Sequence, residues 1–489
     1  MMYEAPSIIV YRTHIEIFPY KKGQCYKLEK MLSTYDYVCH KWTPVAYHIE
    51  KNTLYIPAGV SKSLLSKLFY TDVIYSKSFD PLKKFSDGKP LYDAKTDIQQ
   101  EAINFLIGAE NFGYTLKCPQ ISVNIDTGDG KTYSAVYAIL KYKYKAIIIT
   151  HTDNIKAQWY KSFTTMTTVD ESRIYDISAK GHSMDYLMSY DYSDDYDIYL
   201  VNHQTISSFA RHNGWNAVRE FFKGYYIGIK VVDECHLFFE NSLKIDSFSN
   251  TFKTIYLTAT FRRNQSKENI IYNICYNDTL RYGEQTYDYE SKRKHIVMVI
   301  VYFRSKPGIG ETIKVSTRRG FSVYKYIDYE HNEYNNTLVK VLFKLLKDTE
   351  RLEGKRLILV PKKSTIDLIY NLVKEKYPDK SIGKIYSDNT HEENQESKEK
   401  DIIITTAKSS GTGLDIKGLR VMYNLEPIGS IGYADQVRGR LREYAPDKDT
   451  FFFYPVDVTI PDSIDMLEKI LPVFKRKCKE IIVMKIEDI

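Results

Sequence analysis

Apolar positions along the chain follow two rhythms. Over the first seventy residues they alternate. Ile8 and Val10, then Ile15 and Ile17, predict two short strands between Ser7 and Pro19, and Leu28 and Leu32 mark one side of a helix over Tyr26–Leu32. Ala46–Ile49 and Thr53–Ile56, on either side of Glu50-Lys51-Asn52, predict a hairpin, and Pro57–Val60 opens a helix over Ser61–Phe69. Lys, Asp, Gly and Pro dominate Phe79–Asp93, which reads as a linker. From about Lys95 the rhythm changes to a β-type run at Gln120–Asn124 and apolar runs at Ala146–Ile149, Ile198–Val201 and Ile229–Val232, alternating with helical stretches such as Tyr133–Leu140. Strands of that kind are buried on both faces, as in a parallel sheet with crossover helices. The same logic returns between about Asn335 and Asp457, at Leu357–Val360, Ile402–Ile404, Val421–Tyr423 and Phe451–Tyr454, with Ile296–Phe303 beginning that second sheet. The amphipathic run Ile464–Phe474 is expected to pack back on it. The pattern therefore predicts an α/β protein: a small α+β N-terminal domain over residues 1–85, parallel-sheet units over 92–288 and 289–460, and a C-terminal helical tail over 461–489.

Chemistry concentrates where strands end. The loop Ile125-Asp126-Thr127-Gly128-Asp129-Gly130-Lys131-Thr132 joins a strand to a helix, so its backbone N–H groups and the helix N-terminus face a polyphosphate. Lys131 would reach the β- and γ-phosphates and the Thr132 hydroxyl would meet Mg²⁺. About a hundred residues on, Val231-Val232-Asp233-Glu234-Cys235-His236 ends an apolar strand with two acids. Asp233 suits a magnesium site through water, and Glu234 is left to orient or deprotonate an attacking water. A glycine-rich turn, Ser409-Ser410-Gly411-Thr412-Gly413-Leu414-Asp415, follows Ile402–Ile404, and Gln436-Val437-Arg438-Gly439-Arg440-Leu441-Arg442 gathers three guanidiniums suited to the charge of a transferring phosphoryl group.

In order and spacing these segments resemble the superfamily 2 helicases and translocases, from about Lys95 to about Tyr454. Gln99 looks like the adenine-reading glutamine, and Asp126–Thr132, with Thr127, Gly128, Asp129 and Gly130 around the phosphates, looks like motif I. His151-Thr152 with Gln158-Trp159 resembles motif Ia, and Asn202–Thr205 motif Ic. Asp233–His236 resembles motif II of the DExH kind, Thr258-Ala259-Thr260 motif III, Ser410–Asp415 motif V, and Gln436–Arg442 motif VI. The resemblance implies two RecA-like lobes using ATP and Mg²⁺. It implies catalysis by Lys131, Glu234, Gln436 and either Arg440 or Arg442, and nucleotide contacts from Gly413 and Asp415. Coupling falls to His236, Thr258 and Thr260, and nucleic-acid backbone contacts to Thr152, Thr205 and Thr412. Three positions depart from the family pattern: Ile125 stands where motif I has glycine, His151 where motif Ia commonly has proline, and Glu443 where motif VI has its second arginine, with Arg442 one residue earlier. Trp159 reads as core packing.

Composition narrows the setting. With 43% hydrophobic and 27% charged residues in 489, the chain is globular and has several cores to build. No run of about 18 apolar residues exists, so no membrane span is expected, and six scattered cysteines without a Cys-x-x-Cys pair point to reduced thiols in a cytoplasm. A net charge of +7 is modest, and Asp185, Asp191, Asp194, Asp195 and Asp197 dilute it, so polyanion binding must be local. Arg262-Arg263, Lys292-Arg293-Lys294, Arg318-Arg319 and Lys362-Lys363 are the basic candidates. The 43 tyrosines, with many Lys, Ile, Asn and Asp, match A+T-rich codons better than a base-stacking platform.

The N-terminal order of strands, helix, hairpin, Pro-x-Gly and helix resembles the UvsW-type recombination helicases of tailed phages. The expected function is thus an ATP-dependent DNA helicase or translocase, monomeric, acting on single-stranded, forked or branched DNA in phage or viral replication and recombination. Two alternatives stay open. Ser410–Ile416 also resembles the transcript-release helicases of poxviruses, with RNA as partner, and a non-motor ATP-binding interaction protein would keep the same loop. Because every catalytic candidate lies beyond Lys95, removal of residues 1–90 is expected to leave intrinsic hydrolysis largely intact.

Overall fold

The computed structural model describes residues 5–36, 40–76, 78–85, 87–125, 128–178, 182–189, 194–258, 266–283, 294–305, 315–317, 320–332, 337–386, 388–406 and 416–487. They form two units, residues 1–287 and 288–489.

The first unit opens with a five-stranded mixed sheet. Its strands are β1 (Ser7–Val10), β2 (His14–Phe18), β5 (His48–Glu50), β6 (Thr53–Pro57) and β7 (Val73–Tyr75), in the order β5-β6-β2-β1-β7. Helices Lys22–Met31 and Lys62–Phe69 accompany it, the second capped by the Ser61 hydroxyl. A separate hairpin, β3 (Ser33–Asp36) with β4 (Lys41–Pro44), was not expected.

A seven-stranded, all-parallel sheet follows: β8 (Gln120–Asn124), β9 (Ala146–Thr150), β10 (Ile174–Asp176), β11 (Ile198–Asn202), β12 (Ile229–Asp233), β13 (Lys253–Thr258) and β14 (Leu280–Tyr282). Its order is β10-β11-β9-β12-β13-β8-β14. The run Ala146–Thr150 is buried throughout, as a central parallel strand requires.

The second unit repeats the plan with β15 (Ile296–Phe303), β18 (Lys355–Val360), β19 (Ile382–Ile385), β20 (Ile402–Thr406), β21 (Leu419–Asn424), β22 (Thr450–Asp457) and β23 (Glu480–Lys485). A small hairpin, β16 (Ser316–Thr317) with β17 (Gly320–Phe321), lies between β15 and β18 in the chain. The large sheet runs β19-β20-β18-β21-β22-β15-β23. Numbered by chain order within each large sheet, both read 3-4-2-5-6-1-7. These are two RecA-like α/β lobes preceded by a small N-terminal β-rich domain.

Three expectations change. The tail over 461–489 is not only helical: after helix Pro461–Lys477 the chain adds β23 beside β15, because Ile481 and its neighbours pair with an otherwise open edge. The linker is laid against the first lobe. Phe85 N–H donates to Lys143 O at 2.8 Å, Leu91 N–H to Met166 O at 2.9 Å, and Phe85 is buried. The N-terminal domain shares one apolar core with that lobe, in which Ile8, Ile17, Leu54 and Ile56 pack with Ile149, Phe248, Tyr256 and Tyr272. Arg219 bonds Glu16 at 2.7 Å, Arg12 donates to Phe252 O at 2.9 Å, and Thr13 bonds the Ser249 carbonyl. A cut at residue 90 would expose that core, so the expectation of an untouched ATPase after removing 1–90 is withdrawn.

Candidate nucleotide and nucleic-acid site

Five neighbouring strands of the first lobe, β11, β9, β12, β13 and β8, lie parallel, so their carboxyl ends share one edge of the sheet. In that spatial order they carry motifs Ic, Ia, II, III and I. Ligands of parallel α/β sheets bind beyond such ends.

The loop after β8 reaches helix Lys131–Tyr142 through Gly128 at φ +103° and Gly130 at φ +89°, a left-handed conformation that suits glycine. Gly130 is fixed by space as well, since a Cβ there would stand 2.1 Å from the Gln99 amide nitrogen. Gln99 accepts from Lys95 N–H at 2.7 Å and reaches Gly130 O at 3.5 Å, so its helix, Asp97–Ile107, is tied to the loop. Lys131 is buried and donates to Ile125 O at 2.9 Å, curling its ammonium back over the loop. Thr132 is half-buried in the first helical turn, and Asp129 is half-buried in the loop.

At the end of β12, Asp233 and Glu234 are both buried. The Trp159 indole donates to Asp233 Oδ2 at 2.8 Å. Burial pushes the Asp233 carboxyl above the ordinary carboxylate range and the Glu234 charge adds to it, while the indole and Lys131 act against them. Glu234 sits at φ +49°, costly for a residue with a Cβ and typical of functional turns. His236 Nδ1 lies 3.4 Å from Glu234 Oε2 and 2.8 Å from Thr258 Oγ1, joining motif II to the end of β13. The two buried carboxylates and the Thr132 hydroxyl are the groups that would hold Mg²⁺, which takes few protein ligands and otherwise water and phosphate oxygens. Among the described residues no three or more His, Cys, Asp or Glu cluster as metal ligands.

At the ends of β9 and β11, whose Thr150 and Asn202 are register partners, two helix N-termini stand side by side. Thr152 caps Asp153–Met166 by accepting from Ile155 N–H at 3.4 Å, and His203–Asn213 starts after Asn202, with half-buried Thr205 in its first turn. His151 and His203 stack, 5.4 Å between centroids and 2° from parallel, with His203 on Phe238 at 4.3 Å. Burial and the neighbouring His151 push His203 down to about 4.

In the second lobe helix Ile431–Arg438 carries half-buried Gln436, and the three arginines separate by environment. Arg438 is buried and bonded to Asp435 at 2.9 and 3.0 Å, with Lys477 on the other carboxylate oxygen at 2.6 Å. Burial lowers Arg440 to about 10 against the pull of Tyr433 and Glu426, leaving it charged at neutral pH, and Arg442 is exposed. Asp126, Thr127, Thr260, Thr412, Gly413 and Asp415 lie outside the described residues, as do Arg262-Arg263, Lys292-Arg293 and Arg318-Arg319. Sequence reading assigned Trp159 to the core without its partner, and a Gln-Trp pair gives no sign of an acid 74 residues away.

Residues 94–263 match the family model described as the res subunit of type III restriction enzymes. No curated protein sequence matches. Among solved structures, S. cerevisiae Dbp5 bound to RNA and ADP-BeF3 aligns over 80% of this chain and 90% of its own, at 14% identity and a TM-score of 0.54. A fragment described as the HsdR subunit of a type I restriction enzyme from Vibrio vulnificus YJ016 aligns over 81% of this chain and 70% of its own, at 16% identity and 0.52. T4 UvsW aligns over 98% of this chain and 99% of its own at 15% identity, with a TM-score of 0.37. The first two show a shared fold. With the family match, that fold supports a superfamily 2 helicase-type, ATP-hydrolysing protein. No helix among the described residues is long and apolar enough to cross a membrane.

Proposed function

We propose that the chain is an ATP-driven superfamily 2 motor of the DExH kind that moves along DNA and remodels forked or branched DNA. The observation that carries this reading is the row of motif-bearing strand ends β11-β9-β12-β13-β8, with Lys131, Asp233 and Glu234 buried along it. Lys131 and the N–H groups of Gly128–Thr132 bind the triphosphate, and Gln99 braces the loop and reads the base. Thr132, and Asp233 through water, hold Mg²⁺, which supplies charge neutralisation on the phosphates when bound. Glu234 orients or deprotonates the water, and His236 with Thr258 passes the state of the acids to β13. One of Arg440 or Arg442 supplies positive charge to the transferring phosphoryl group, and Gln436 contributes a neutral amide. The paired helix N-termini at Thr152 and Thr205 suit backbone phosphates, so little sequence preference is expected.

A restriction-enzyme family model over the first lobe favours DNA, and the N-terminal sequence pattern favours a phage or viral role in recombination. Dbp5, whose structure holds RNA, makes RNA the arm to test. ATP hydrolysis should rise several-fold with single-stranded or forked DNA and less with RNA of the same length. Stronger stimulation by RNA would transfer the reading to a transcript-directed motor, and none by either would leave an ATP-binding protein without motor action.

A further inference from the structure

The N-terminal domain and the first lobe together form an open cleft of about 490 Å³. One wall is helix Lys22–Met31, contributing Tyr26, Lys27, Lys30 and Met31. Another is Trp42 on β4, and the third is Ile270 on helix Ser266–Cys275.

The chemistry of the walls is selective. Tyr26 is 54% exposed, Trp42 38% and Ile270 59%, so flat apolar surface faces the opening. The Lys30 ammonium lies 5.1 Å from the Trp42 ring centre and 6.0 Å from that of Tyr26, so two π faces share one cation, and Lys27 adds a second exposed charge. Among the described residues none of those lining the cleft is acidic. Aromatic faces with lysines at their margins match a polyanion that carries flat bases.

We propose that this cleft binds a nucleotide unit of a single-stranded nucleic acid, its base stacked on Trp42 or Tyr26 and its phosphates paired with Lys27 and Lys30. Stacking of a base on an indole outweighs an exposed cation–π contact, so Lys30 leaves the Trp42 face for the phosphate when a base arrives. Among the described elements, helix Ser266–Cys275 follows β13 in the chain. The cleft thus supplies the strand-selecting role of the N-terminal domain, and the inference rests on the proposed motor function.

The test uses the full chain and 5-iodouracil-bearing 20-mers of DNA and of RNA. The expected results are photocrosslinks at Trp42 or Tyr26 and oligonucleotide binding, read by anisotropy, weakened about 5- to 100-fold by Trp42→Ala and restored by Trp42→Phe. Replacing Lys27 and Lys30 together by alanine should lower the salt slope of binding by about 1.4. Should Trp42→Ala perturb folding, Lys27→Glu on its exposed side chain decides alone, with at least about threefold weaker binding expected. Wild-type binding and ATPase stimulation with unchanged affinity in these variants would overturn the cleft and leave the motor reading standing. Absence of binding and stimulation in the wild type would overturn both, and preference for DNA over RNA tells which strand is taken.

Discussion

The Trp159 indole and the Asp233 carboxylate, 74 positions apart, meet at 2.8 Å in the buried heart of the first lobe. The bond fixes one carboxylate oxygen of the acid proposed to hold Mg²⁺. Trp159→Phe keeps an aromatic ring beside Phe163 but strands a buried acceptor, a loss of about 1–3 kcal/mol. The Mg²⁺ concentration for half-maximal hydrolysis should rise several-fold, and magnesium should raise the melting temperature of the nucleotide-bound variant less than that of the wild type. An unchanged magnesium titration would make the indole a packing residue only.

Glu234 tests the engine. Glu234→Gln keeps the shape of the strained turn and removes the base, so ATP binding should persist while turnover falls about 10²- to 10⁴-fold. Lys131→Ala should weaken both. Hydrolysis by Glu234→Gln within about twofold of wild type would remove Glu234 from the mechanism.

The arginines divide by environment. Arg438→Ala leaves Asp435 paired with Lys477 but strips its other carboxylate oxygen of a partner, and should cost about 1–3 kcal/mol of stability, read as a lower denaturation midpoint of the second lobe. If one residue has been lost from the motif, Arg442→Ala instead lowers kcat by about 10³ or more with nucleotide affinity nearly intact. That pattern in Arg440→Ala alone would assign the finger to Arg440.

Histidine 203 carries a pH signature. Its folded pKa of about 4 lies below the unfolded value of about 6.5, so the unfolded chain takes up the proton more readily. Stability is therefore present above pH 6.5 and declines as pH falls toward 4. His203→Gln should shrink the drop in melting temperature between pH 7.5 and 5, and an equal drop in both proteins would refute the assignment.

Long β-branched runs declared themselves in the sequence. Ile296–Phe303 was read to the residue, and Ala146–Thr150 and Ile229–Asp233 to within one, because strands buried on both faces need continuous apolar side chains. β4 was missed because all four of its residues are exposed, and β23 because its side chains stay largely exposed at a sheet edge. Motif spacing picked out Gly128, Lys131, Asp233 and Glu234, which lie just after β8 or at the carboxyl end of β12, the two strands that flank β13. The Trp159 bond, the Gln99–Gly130 contact and the His151–His203 stack depend on neighbours brought together only by the sheet, and no local spacing encodes them.

The shared core of the N-terminal domain and first lobe bears on biosynthesis. Tyr55 packs against Phe248 at 4.7 Å between ring centres, and Ile8 and Leu54 belong to the core completed by Tyr272. At about 5–20 residues per second, roughly 10–40 s separate the emergence of these partners from a ribosome. Throughout that interval the nascent N-terminal sheet carries an apolar face with no cover, so its yield during translation depends on what shields it until Phe248 arrives.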